Sequence, residues 1–117
     1  VTSSTTHTNA GTYSDTVTYT DQTGNYNNAS KVVKSYILKA TVTLTGAGLN
    51  GSGYFGTYDG QAHAATATVT GVGGVVLGQV VSGTTHTNAG VYSDTVTFLG
   101  DANYKAASKV LKSYIIA

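Results

Sequence analysis

The sequence predicts an all-β protein made of immunoglobulin-like β-sandwich repeat modules in tandem. Three observations carry that expectation. Thr, Val and Tyr, which suit a pleated and half-buried surface, are abundant beside the turn formers Gly and Asn. Short runs alternate apolar and polar residues between turn signals spaced roughly 8 to 12 residues apart. Finally, one long segment occurs twice. A β-grasp-like arrangement is the alternative, and the absence of helical periodicity weighs against it.

The repeat defines the domains. Thr5-Thr6-His7-Thr8-Asn9-Ala10-Gly11-Thr12-Tyr13-Ser14-Asp15-Thr16-Val17-Thr18-Tyr19 returns at residues 84 to 98, with only Thr12/Val91 and Tyr19/Phe98 differing. After a one-residue slip, Ala29-Ser30-Lys31-Val32-Val33-Lys34-Ser35-Tyr36-Ile37 returns at residues 107 to 115, with only Val33/Leu111 differing. The period of about 79 residues suits a string of small domains better than a solenoid. Residues 39 to 117 are one complete module. Residues 1 to 38 match only its C-terminal half and need an N-terminal half as partner.

Along the complete module, Ala40 to Thr45 alternates as a strand with one buried face, and Gly46 to Gly53 is a glycine-rich loop. Tyr54, Phe55 and Tyr58 surround a turn at Asp59-Gly60. His63 to Thr70 is a strand, Gly71 to Gly74 a tight turn, and Val75 to Val81 a strand expected to lie deep. Thr84 to Thr87 is a short edge segment and Asn88 to Gly90 a turn. On the strand from Tyr92 to Leu99, Tyr92, Val96 and Phe98 share a face with Asp94, an acid on an otherwise apolar side. Lys109 to Ile116 is the last strand, with Tyr104 covering the end of the core. No Pro, Gly or polar linker separates Lys31 to Thr45, so adjoining modules are expected to have little freedom, as in a stiff rod.

Composition narrows the function. The formal net charge is +1, and the six lysines are scattered without arginine, so no basic stripe tracks a phosphate backbone and nucleic acid is not expected as a partner. No apolar run approaches the roughly 20 residues that span a bilayer, so no membrane insertion is expected within this segment. Any targeting signal is expected outside it.

Catalytic chemistry is not expected. His7, His63 and His86 lie among many hydroxyls without a nucleophile-elbow pattern. His63 with His86 lacks further ligands for zinc, and Asp59 and Asp101 match no calcium loop; they are expected to form turns. The expectation is therefore no enzyme, no cofactor and no metal. Asn28-Ala29-Ser30 and Asn50-Gly51-Ser52 are candidate glycosylation acceptors at Asn28 and Asn50. Asn50, Ser52 and Tyr54 form a candidate ligand loop. An isopeptide crosslink would join Lys109 or Lys112 to Asn103 with Asp94 as the assisting acid.

Four motifs stand in order: Tyr58-Asp59-Gly60-Gln61-Ala62-His63-Ala64-Ala65, Thr70-Gly71-Val72-Gly73-Gly74, Asn88-Ala89-Gly90-Val91-Tyr92, and Phe98-Leu99-Gly100-Asp101-Ala102-Asn103-Tyr104. Together they resemble the MBG and YDG-type repeats of large bacterial surface proteins. The resemblance covers residues 39 to 117, and its second half covers 5 to 38. It implies a structural stalk or fibre repeat of an extracellular, cell-surface protein, with no catalytic residues to carry over. The alternative function is an adhesive module that binds glycan or a host protein through exposed loops. The partners implied are neighbouring copies of the same module, joined end to end or by strand exchange, and glycans under the alternative. With open strand edges, residues 1 to 38 are expected to drive polymerisation.

Overall fold

A computed structural model describes residues 1 to 117. The chain is all-β, with eight strands and only two single-turn 3-10 segments. It divides into two compact units, Val1–Lys39 and Ala40–Ala117. The boundary expected from the repeat, between residues 38 and 39, therefore falls one residue from the observed one.

The first unit is a single antiparallel hairpin of β1 (Gly11–Tyr19) and β2 (Ala29–Ile37). The second unit holds β3 (Thr43–Gly46), β4 (Tyr54–Thr57), β5 (His63–Thr70), β6 (Val76–His86), β7 (Gly90–Phe98) and β8 (Ala107–Ile116). These form two three-stranded sheets, ordered β3-β5-β6 and β4-β8-β7. One core lies between them. Leu44, Ala65, Ala67 and Val69 come from the first sheet, and Val96 and Leu111 from the second. Alternation explains the selection: on β5, positions 65, 67 and 69 point inward while 64, 66, 68 and 70 stay half-exposed.

The core side of β5 is built from small residues, and the backbone follows closely. A Cβ on Gly53 would run into Ala65. Gly53 is thereby free to link the sheets, donating its N–H to Lys112 O at 2.8 Å and accepting Thr66 N–H at 3.1 Å.

Three sequence expectations are corrected. Val75 to Val81 is not a deep strand: β6 begins at Val76, and Val75, Val76 and Val81 are exposed because β6 lies at the edge of its sheet. The segment 84 to 87 is no separate edge piece, since β6 continues through Thr84 and Thr85 to His86. The strand expected from Ala40 starts at Thr43, while Ala40 makes only an isolated parallel bridge to Tyr104. That bridge, with Ala40 N–H on Asn103 O at 3.0 Å and Lys105 N–H on Ala40 O at 2.8 Å, ties the N-terminal half of the module to the β7–β8 loop.

One pairing had no sequence signal: β4 runs parallel to β8, with Tyr54 opposite Ser113 and Thr57 opposite Ile116. The N-terminal half of the module thus supplies β3, β5 and the start of β6 in the facing sheet, and the third strand of the other sheet.

Ser52 and Ser113 are buried, and neither Oγ has a hydrogen-bond partner. Burying an unpaired hydroxyl costs about 1 to 3 kcal/mol. Ser113→Ala is therefore expected to raise the unfolding free energy by about 1 kcal/mol, measurable by urea denaturation. A loss of stability would show that the hydroxyl is satisfied.

Candidate functional site

The two copies of the C-terminal half fold alike. Gly11 pairs with Ile37 and Tyr19 with Ala29, as Gly90 pairs with Ile115 and Phe98 with Ala107. Both hairpins carry the same brace. In the first, His7 Nε2 lies 2.7 Å from Asp15 Oδ2, and its ring stacks on Tyr13 at 3.7 Å between centroids. In the second, His86 Nε2 lies 2.8 Å from Asp94 Oδ2, and its ring stacks on Tyr92 at 3.8 Å. The tyrosine hydroxyls donate to Asn9 O at 2.6 Å and Asn88 O at 2.7 Å. The acid on the apolar strand face is thereby explained. Asp15 and Asp94 point inward because a histidine of the same half covers each of them.

A third group of the same type lies in the N-terminal half. His63 stacks on Tyr54 at 4.1 Å and meets Asp59 at 2.9 Å. His63 and His86 face each other in the β5–β6 register, yet each is engaged by its own aspartate, and no cluster of three or more metal-ligating side chains forms. In all three groups the Nε2 atom meets the carboxylate, and no serine or threonine hydroxyl completes a relay. Sequence reasoning missed these braces. The available signal was a recurring inward aspartate two residues after a tyrosine, with a histidine upstream in each C-terminal half.

Asp59 forms the expected turn, accepting Gln61 N–H at 2.9 Å. Its hydrogen bond to His63, then that from Gln61 N–H, holds its carboxyl below the usual range. A depressed carboxyl contributes stability above the unfolded-state value and loses it as pH falls through the folded-state value. Asp59 is expected to titrate below 3.8, followed by carboxyl chemical shifts. A midpoint at or above 3.8 would mean the His63 contact is absent in solution. Asp101 is also a turn residue, accepting Asn103 and Tyr104 N–H, each at 2.8 Å.

The candidate ligand loop is split by the structure. Asn50 is exposed and left-handed (φ 56°), a conformation asparagine tolerates, whereas Ser52 is buried and Tyr54 is half-buried against His63. Asn50 and Ser52 border a shallow groove of about 350 Å³ with Phe55, Lys109 and Tyr114. Tyr54 is not among its lining residues. Of the glycosylation candidates, Asn28 is exposed like Asn50, and its Oδ1 accepts Asp21 N–H at 2.7 Å. Two groups of the isopeptide expectation have other partners: Lys109 Nζ donates to Leu44 O at 3.2 Å, and His86 holds Asp94.

Another groove is in the first unit, where about 370 Å³ opens over Asp15, Val17, Val33, Ser35 and Ile37. The matching residues of the second unit are Asp94, Val96, Leu111, Ser113 and Ile115, and all five are buried. Residues that meet the N-terminal half in the complete module differ sharply between copies. Leu111 is 3 % exposed and its counterpart Val33 is 42 % exposed. Tyr104 is half-buried and accepts Val72 N–H, whereas Tyr26 is 72 % exposed. The outward-facing pair is an internal control: Val110 at 63 % and Val32 at 61 % are equally exposed. The difference therefore lies in what covers the inner face, not in the hairpin.

No helix is long and apolar enough to cross a membrane. Comparison with protein-family models, curated proteins and solved structures finds no match.

Proposed function

We propose that the chain is a structural stalk or fibre repeat of an extracellular bacterial surface protein, built from immunoglobulin-like sandwich modules. The observation that carries this reading is the repetition of one hairpin with the same register and the same His–Asp–Tyr brace in both units. Repetition conserves a building unit, whereas a catalytic or ligand site needs only one copy. The four motifs that resemble MBG and YDG-type repeats support the surface location and the tandem arrangement. Two facing three-stranded sheets around one core support the sandwich class. Only Leu38 and Lys39 separate the last residue of β2 from Ala40, a connection short enough to favour a stiff array.

Small-angle scattering on chains carrying two, three and four copies of residues 40 to 117 tests the reading. A maximum dimension that grows in proportion to copy number is expected. Growth close to the square root of copy number would describe a flexible string and sink the stalk. The adhesive alternative draws on the groove beside Asn50 and Phe55, and a glycan array separates the two, since a spacer binds nothing.

A further inference from the structure

We propose that the open face of the β1–β2 hairpin is a binding site for an additional N-terminal half of this repeat, a polypeptide with the chemistry of residues 40 to 79. This deepens the repeat-module reading and rests on it.

The complete module shows how such a segment sits. Its β4 pairs parallel with the outer edge of β8, where Gly53 N–H bonds Lys112 O at 2.8 Å and Tyr58 N–H bonds Ile116 O at 2.7 Å. The matching edge runs from Ser35 on β2 to Leu38 just past its end, bounded by the carbonyls of Lys34 and Leu38, and no strand lies on it. The segment's Tyr54 would stand opposite Ser35 and its Thr57 opposite Leu38. Its β5 would then place Ala65, Ala67 and Val69 over Val17 and Val33, filling the groove as the same residues cover Val96 and Leu111. At the far end, its Val72 N–H would reach the Tyr26 hydroxyl as it reaches that of Tyr104.

The sequence fits this occupant. Val17, Ser35, Tyr36 and Ile37 are identical to Val96, Ser113, Tyr114 and Ile115, while Val33 and Leu38 replace Leu111 and Ile116 by other aliphatic side chains. The one N-terminal half within the chain is engaged by β7 and β8. A second copy of residues 1 to 117 that supplied its own half would uncover an equal face on itself. The occupant is therefore a further N-terminal half, and the backbone pairing gives affinity while the small inward residues give specificity.

The test extends the full chain by placing residues 40 to 79 ahead of Val1, so that Gln79 runs into Val1 as it runs into Val80. Amide exchange in residues 11 to 19 and 29 to 38 is expected to slow by at least about tenfold relative to the 117-residue chain, with residues 90 to 116 unchanged. Ala67→Asp in the grafted copy alone is expected to restore the original rates. As a second arm, unlabelled peptide 40 to 79 is titrated into the isotope-labelled full chain, with shifts expected at Val33 and Ile37. Unchanged exchange in the extended chain together with no shifts in residues 11 to 38 would overturn the proposal, as would shifts confined to residues 90 to 116. Protection of the hairpin in a chain that scatters as a flexible string would instead sink the stalk reading alone.

Discussion

Leu111→Ala is expected to destabilise the 40 to 117 unit by about 2 to 5 kcal/mol, while Val33→Ala, at the matching position of the first hairpin, changes that transition by less than about 0.5 kcal/mol. Leu111 is buried in the core between the two sheets, so truncation removes apolar contacts and leaves a void beside Val96 and Ala67. Val33 occupies the same register, opposite Asp15 as Leu111 is opposite Asp94, yet its side chain borders an open groove. Water already reaches that site, so little transfer free energy is lost. Chemical denaturation of both variants measures the contrast. Equal costs would mean that the first hairpin is covered in solution by part of the same chain.

His86→Ala is expected to cost about 3 kcal/mol, because it strips the partner from a buried carboxylate. Both oxygens of Asp94 meet His86 Nε2, at 3.0 and 2.8 Å, and its side chain is otherwise enclosed. The double variant His86→Phe, Asp94→Leu keeps a ring on Tyr92 and removes the charge, so its stability should lie within about 1.5 kcal/mol of the parent. The asymmetry between removing one partner and replacing both identifies the brace as a satisfied polar pair inside an apolar face. A single variant no costlier than the double would show that the pair contributes nothing there.

Strand placement was legible where alternation was strict. His63 to Thr70 falls on β5 at both ends because its inward Ala65, Ala67 and Val69 alternate with threonines and an alanine. Val75 to Val81 misled for the opposite reason. An apolar-rich stretch, here Val75-Val76-Leu77 and Val80-Val81 around Gly78-Gln79, marks burial on both faces only in a central strand, and β6 is an edge strand. The turn aspartates were legible from local chemistry, since Asp59 and Asp101 bond backbone amides two or three residues on. Ser52 and Tyr54 were not: Tyr54 belongs to β4 and Ser52 is buried just ahead of it, and the four residues Tyr54-Phe55-Gly56-Thr57 carry no period that distinguishes strand from loop.

The all-β class and a chain of two units could be read from period-two patterning and internal repetition, because both are properties of the chain alone. Tertiary structure decided the parallel β4–β8 pair and the edge position of β6. Each depends on how separate strands come together in a sheet, and no local preference encodes which partner a strand edge will find. The two hairpins illustrate the division: nearly identical sequences adopt one register, yet Leu111 is buried and Val33 is not, because only one hairpin has an N-terminal half laid against it.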